Sequence, residues 1–85
     1  MVKLTRDVVR QRAEHHDGIL ADLEEISLHQ MEIEKIEVIG ELCRKLRILY
    51  LQNNIISRIE NIHYCKDLQY LNMALNNVTK IEGLQ

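Results

Sequence analysis

One pattern returns along this chain every 22 or 23 residues, and it decides what the chain can fold into. Aligned on Leu46, the string Leu46-Arg47-Ile48-Leu49-Tyr50-Leu51-Gln52-Asn53-Asn54-Ile55-Ile56-Ser57-Arg58-Ile59 reads L-x-x-L-x-L-x-x-N-x-I-x-x-I. Stepping forward 22 residues gives Leu68, Leu71, Met73, Asn76, Val78 and Ile81 in the same slots. Stepping back 23 gives Leu23, Ile26, Leu28, Met31, Ile33 and Ile36, with Met31 standing where the template has Asn. Self-similarity at this period marks a repeat architecture, in which a single unit cannot bury its apolar side and must lean on its neighbours.

Each slot has a physical reason. Leu49 and Leu51 are two apart, so in an extended strand both point to one face. Asn54 and Asn76 end that strand, where a sharp turn leaves backbone groups that a buried Asn side chain can satisfy. Ile56, Ile59 and Ile62 then recur every third residue, the spacing of a tight helical or 3₁₀ turn facing inward. The pattern is that of a leucine-rich repeat. The expected fold is α/β: a right-handed leucine-rich-repeat solenoid with a short parallel sheet on its concave face and an N-terminal helical cap. The repeats are placed at 23–45, 46–67 and an incomplete 68–85, behind a cap over 1–22.

Within that cap, Thr5 is positioned to N-cap a helix starting near Arg6, with Asp7 in the first turn favouring the macrodipole. Leu4, Val8, Val9 and Ala13 fall on one side of it, and Asp17-Gly18 reads as the following break. No C-terminal cap is evident before Gln85, so a longer parent protein is expected.

The outward slots of the strands form columns across the concave face. Glu25, Ile48 and Tyr70 share one column; Ser27, Tyr50 and Asn72 share the next. His29, Gln52 and Ala74 form a third, and Gln30, Asn53 and Leu75 a fourth. Ile48, Tyr50 and Tyr70 should cluster, because diagonal neighbours on adjacent strands lie within reach of aromatic rings. Glu25, Ser27, His29, Ile48, Tyr50, Gln52, Tyr70 and Asn72 are the candidate protein-binding residues. Two readings stand side by side: a contact surface anchored by tyrosine, or residues that merely support the sheet. Asn54 and Asn76 form the structural ladder, while Asn53 and Asn77 are read as turn supports or contacts.

Other chemistries find little support. A net charge of −2 gives no basic footprint for nucleic acid. The basic run Lys3, Arg6, Arg10, Arg12 and the acidic stretch from Glu24 to Glu41 read as solvated faces. Glu32, Glu34 and Glu37 surround Ile33 and Ile36 and are expected to face water. No apolar run is long enough for a bilayer, and the first seven residues carry no signal-peptide core. With Gly18, Gly40 and Gly83 as its only glycines, the chain has no phosphate-binding loop. Cys43 and Cys65 occupy one slot of successive coils; His63 lies close by, but a fourth metal ligand is wanting, and buried structural thiols are expected. Such usage points to a reducing compartment, with the cytosol as the default. Adjacent His15 and His16 face different ways on a helix. Ser27 and His29 invite a nucleophile–base reading, yet neither an oxyanion hole nor an orienting third group can be named. No enzyme, cofactor, metal site or small-molecule substrate is expected.

Beyond the repeat itself, the strings Leu23-Glu24-Glu25-Ile26-Ser27-Leu28-His29-Gln30, Leu49-Tyr50-Leu51-Gln52-Asn53-Asn54 and Tyr70-Leu71-Asn72-Met73-Ala74-Leu75-Asn76-Asn77 carry a narrower signal. Together with Ala13-Glu14-His15 they resemble the N-terminus of the tilB (seahorse) family of leucine-rich-repeat proteins, which are dynein axonemal assembly factors. That resemblance implies cytoplasmic preassembly of dynein arms for motile cilia and flagella, with dynein-assembly co-factors or chaperones as partners. It also implies further repeats, a C-terminal repeat cap, a coiled coil and a chaperone-like β-sandwich beyond these residues. Two other classes of repeat protein remain as alternatives: a ribonucleoprotein-associated adaptor like the spliceosomal A-prime subunit, and a phosphatase-regulating adaptor.

Overall fold

The inward slots come together as a stack of coils. The fold is given by a computed structural model that describes residues 2–13 and 18–81, the side chains of Lys80 and Ile81 apart. Its elements in chain order are α1 (Arg6–Arg12), a 3₁₀ turn (Leu20–Asp22), β1 (Glu25–Ser27), α2 (Ile39–Leu42), β2 (Ile48–Tyr50), β3 (Arg58–Ile59), β4 (Tyr70–Asn72) and β5 (Lys80–Ile81). The strands β1, β2 and β4 form one parallel sheet in that order. Its register sets Ile26 beside Leu49 and Leu49 beside Leu71, so the template's slots coincide across the coils.

Hydrophobic burial drives the stacking. Leu28, Ile33, Ile36, Leu46, Leu49, Leu51 and Ile56 are wholly buried, and Ile26 nearly so. In the third coil the corresponding Leu68, Leu71, Met73 and Val78 are only half-buried. Among the described residues, just one neighbouring coil packs against them.

The turn expected at Ile56, Ile59 and Ile62 is absent. Residues Arg58–Ile59 are extended as β3 instead, and they pair in parallel with β5 through Arg58↔Lys80 and Ile59↔Ile81. Within β3, Ile59 is β-branched, a side chain that loses rotamer freedom in a helix and packs well on a pleated surface. Ile56 and Ile62 nevertheless point inward, which is the part of the spacing argument that does hold. Among the described residues, it is the first coil whose return is helical, over α2.

The periodicity also starts earlier than the template does. Leu23 N–H donates to Leu20 C=O, Leu46 to Cys43 and Leu68 to Cys65, each at 3.1–3.3 Å. Leu20, Cys43 and Cys65 thus share one slot, and the coil geometry begins inside the segment 1–22.

Ahead of it, Thr5 caps α1, its Oγ1 accepting the Val8 N–H at 3.3 Å. Leu4, Val9 and Ala13 join the core. Val2 forms a parallel bridge with Ile33 and donates to Glu32 C=O at 3.1 Å, while Arg12 Nε donates to Ser27 C=O at 3.1 Å. Glu25 and Ser27 direct their backbone groups away from β2, so Arg12 covers part of an otherwise open sheet edge. Of the expected break, Asp17 lies outside the described residues; Gly18 forms a bend and accepts from Arg10 Nη1 at 2.9 Å. No helix among the described residues is long and apolar enough to cross a membrane.

Candidate functional site

The strand register builds the outward columns directly. Glu25, Ile48 and Tyr70 stand abreast, as do Ser27, Tyr50 and Asn72. Glu25 and Tyr70 are exposed; Ser27, His29, Ile48, Tyr50, Gln52 and Asn72 are half-buried. The diagonal pair meets: the Tyr50 and Tyr70 ring centroids are 5.6 Å apart and tilted by 58°. Such a tilted pair adds about 0.5–1.5 kcal/mol beyond area burial. Tyr70 is 48% exposed and Leu75 77% exposed, so the third coil leaves two large apolar side chains open.

The polar members are engaged locally. Ser27 Oγ, at the end of β1, and His29 Nδ1, two residues on, are hydrogen-bonded at 2.5 Å. Asn72 Oδ1 accepts the Ala74 N–H at 3.0 Å and so turns into its own loop. Arg47 reaches both neighbouring coils, to Glu24 Oε1 and to Gln69 Oε1, each at 3.2 Å. Gln52 Oε1 is buried with no hydrogen-bond partner among the described residues.

The Asn ladder reaches backwards along the stack. Asn54 Oδ1 accepts from the N–H groups of Met31 and Ile33 at 3.0 Å each, and its Nδ2 donates to Leu28 and Leu51 C=O at 2.9 Å each. Asn76 Oδ1 accepts from Ile56 N–H at 2.9 Å, and its Nδ2 donates to Leu51 C=O at 2.7 Å and Met73 C=O at 3.1 Å. Each Asn therefore serves the coil before it as well as its own. Met31 has no earlier strand coil to serve, which accounts for the one slot where the template fails.

Two further ladders escape the sequence template. Gln30, Asn53 and Leu75, all in the eighth slot, have φ of 53°, 60° and 58°. Val38 and Asn61, 23 residues apart, have φ of 57° and 60°. These are left-handed conformations that Asn tolerates better than most residues. Asn53 and Asn61 carry a readable signal for them; Gln30, Val38 and Leu75 carry none. Asn53 is thereby a turn residue, and Asn77 N–H pairs with Ile56 C=O at 3.1 Å.

Cys43 and Cys65 are free and buried, and Cys65 Sγ donates to Cys43 C=O at 3.3 Å. Burial first, and the neighbouring Cys65 second, push the Cys43 thiol up to about 11; burial also raises Cys65. His63 is exposed and lies over Tyr64, with ring centroids 4.2 Å apart. Glu32 and Glu34 face water, whereas Glu37 is half-buried. His15 and His16 fall outside the described residues. Among those described, no group of three or more His, Cys, Asp or Glu side chains is placed to share a metal ion.

Comparison with known proteins now adds to this geometry. Residues 44–85 match the family described as leucine rich repeats in two copies. The chain is 56% identical over 79 residues to dynein axonemal assembly factor 11 of Trypanosoma brucei brucei, covering 93% of this chain and 21% of that protein. The protein of the same name in Mus musculus is 55% identical over 75 residues, covering 88% and 16%. Protein tilB of Drosophila melanogaster is 52% identical over 75 residues, covering 88% and 19%. The chain spans about a fifth of the length of these relatives or less. No solved structure matches it.

Proposed function

Because the chain is a leucine-rich-repeat chain of the tilB type, we propose that it forms part of a non-catalytic scaffold for assembling axonemal dyneins. The relatives' name supplies the process, and the concave face supplies the means. On this reading the coils are the start of a right-handed solenoid. The segment 1–22 is its helical lid, and 23–45, 46–67 and 68–85 are successive repeats. Protein partners, among them dynein-assembly co-factors or chaperones, dock on the outward columns of the sheet. The work is done in the cytoplasm and serves cilia or flagella.

The observation that carries the reading is the Tyr50–Tyr70 contact beside Ile48 on an open sheet face. Tyrosine combines a large, stiff contact area with a polar tip and recurs at binding hot spots. Ser27 and His29 are better explained as chain neighbours than as a reacting pair, since they stand two residues apart and no orienting third group joins them.

The test is affinity recovery from cells building motile cilia, using the full-length protein with Tyr50→Ser and Tyr70→Ser together. Dynein-assembly factors should be recovered with the unaltered protein and lost with the double variant, whose circular dichroism should be unchanged. Recovery of splicing factors instead, or equal recovery by the variant, overturns the proposal.

A further inference from the structure

Two buried thiols stand in one slot of successive coils and take no part in the concave face. Cys43 and Cys65 are both free, and they are 0% and 5% exposed. Each closes a turn onto the leucine that opens a coil, Leu46 N–H donating to Cys43 C=O and Leu68 N–H to Cys65 C=O. Just beyond those leucines, Ile48 and Tyr70 are register partners in β2 and β4.

The two cysteine backbones therefore run side by side. Gln69 and Tyr70 N–H both donate to Arg47 C=O, at 2.8 and 3.0 Å, so the coils are hydrogen-bonded from shortly after the pair. Parallel neighbours in register lie about 4.8 Å apart, inside the window of about 4.4–6.8 Å between Cα atoms that a disulfide spans. The side chains approach as well. Cys65 Sγ donates to Cys43 C=O at 3.3 Å, so its sulfur already points at the neighbouring coil. Burial is the larger cause of the raised Cys43 thiol and the charge of Cys65 the second, which sets the two sulfurs within electrostatic reach. Packing alone does not ask for sulfur here, since Leu20 fills the same slot one coil earlier.

We propose that Cys43 and Cys65 are a redox pair: a disulfide oxidant such as oxidised glutathione joins them, and the bond staples the entrance of β2 to that of β4. The order of events follows from burial. Among the described residues the third coil is the least covered, with Leu68, Leu71, Met73 and Val78 half-buried, so it opens most readily. Opening frees Cys65, whose thiolate attacks the oxidant, forming a mixed disulfide and releasing one glutathione thiolate. During reclosure, while Cys43 still touches water, its thiol gives up a proton and attacks the Cys65 sulfur. The second glutathione then leaves as a thiolate and takes a proton from water. Two protein thiols are oxidised, and one glutathione disulfide is reduced to two thiols. The staple holds the third coil down and does not depend on any partner at the concave face.

The experiment equilibrates the full chain with mixtures of reduced and oxidised glutathione, quenches with acid, and reads the intact mass and the linked peptides. The unaltered monomer should lose two hydrogens, carry no glutathione and yield a peptide joined through Cys43 and Cys65. The glutathione mixture at half-oxidation gives the effective concentration of one thiol at the other. That value should be about tenfold or more higher in the native chain than in concentrated urea, because the fold rather than chain length brings the sulfurs together. Cys43→Ser should instead stop at the mixed disulfide on Cys65. The urea comparison needs no variant, so it decides the matter even where Cys43→Ser fails to fold. An effective concentration no higher than in urea, disulfide-linked dimers, or a glutathione adduct persisting on the unaltered chain would each overturn the pairing.

Discussion

Asn54 holds Met31 across the gap between two coils, its Oδ1 accepting the Met31 N–H at 3.0 Å while also accepting that of Ile33. The same side chain donates to carbonyls of both coils, so one amide pairs backbone groups of Leu28, Met31, Ile33 and Leu51.

Asn54→Leu keeps the size and removes every one of these bonds. Each buried backbone group left unpaired costs about 1–3 kcal/mol, so a loss of about 3 kcal/mol or more is expected in urea unfolding. Asn76 is half-buried, and Asn76→Leu should cost less. Met31→Asn should give little stabilisation, because no earlier strand coil offers it partners. Equal losses at Asn54 and Asn76 would contradict the dependence on burial.

Gly40→Ala sets two effects against each other. Alanine favours a helix by about 1 kcal/mol over glycine, which alone would raise stability. The added methyl, however, meets the Asn61 carbonyl, a backbone atom that cannot rotate aside. Overpacking of this kind costs about 1–3 kcal/mol. Thermal melts should therefore show net destabilisation, and a raised midpoint would mean that the coils do not pack as closely as described.

Tyr50 and Tyr70 should be coupled in stability as well as in space. A double-mutant cycle with leucine at each position should return about 0.5–1.5 kcal/mol, the range for tilted aromatic pairs. A coupling of zero would show that the rings do not touch in solution.

How far these features could be read in advance depends on what the sequence encodes at each position. The parallel register of Ile26, Leu49 and Leu71 was legible because leucine and isoleucine repeat at a fixed interval, and burial leaves them one direction to face. The tyrosine contact followed from that register alone. The second sheet, β3 with β5, was not legible. A three-residue spacing of isoleucines fits a 3₁₀ turn, and only the run of β-branched neighbours hinted at extension. The left-handed residues Gln30, Val38 and Leu75 had no signal at all, because their conformation is imposed by the closing coil rather than chosen by their side chains. The close packing at Gly40 was equally hidden. It depends on the backbone of Asn61 crossing Gly40, a contact between residues 21 apart that no local pattern announces.

Thr5→Ala tests whether α1 folds with the coils. The cap contributes about 1 kcal/mol in most hosts. Since Leu4 and Val9 lie in the common core, the loss should lower a single cooperative transition. An early, separate melting phase would show that the helix docks loosely.

Cys43 gives the fold a defined alkaline limit. Its thiol is pushed from 9.0 up to about 11, mainly by burial and secondarily by Cys65. The folded state thus holds its proton more tightly than the unfolded chain does. The resulting stability is fully present below pH 9 and is lost as pH climbs through 11, because the unfolded chain ionises first. At pH 8 the thiolate fraction should be about a hundredfold lower in the native protein than in urea, and alkylation by iodoacetamide should slow by at least that factor. Cys43→Ala introduces a small cavity and so lowers stability at every pH. Only a thiol effect changes the slope above pH 9, which should become shallower in the variant. An identical slope in both proteins would place the alkaline sensitivity elsewhere.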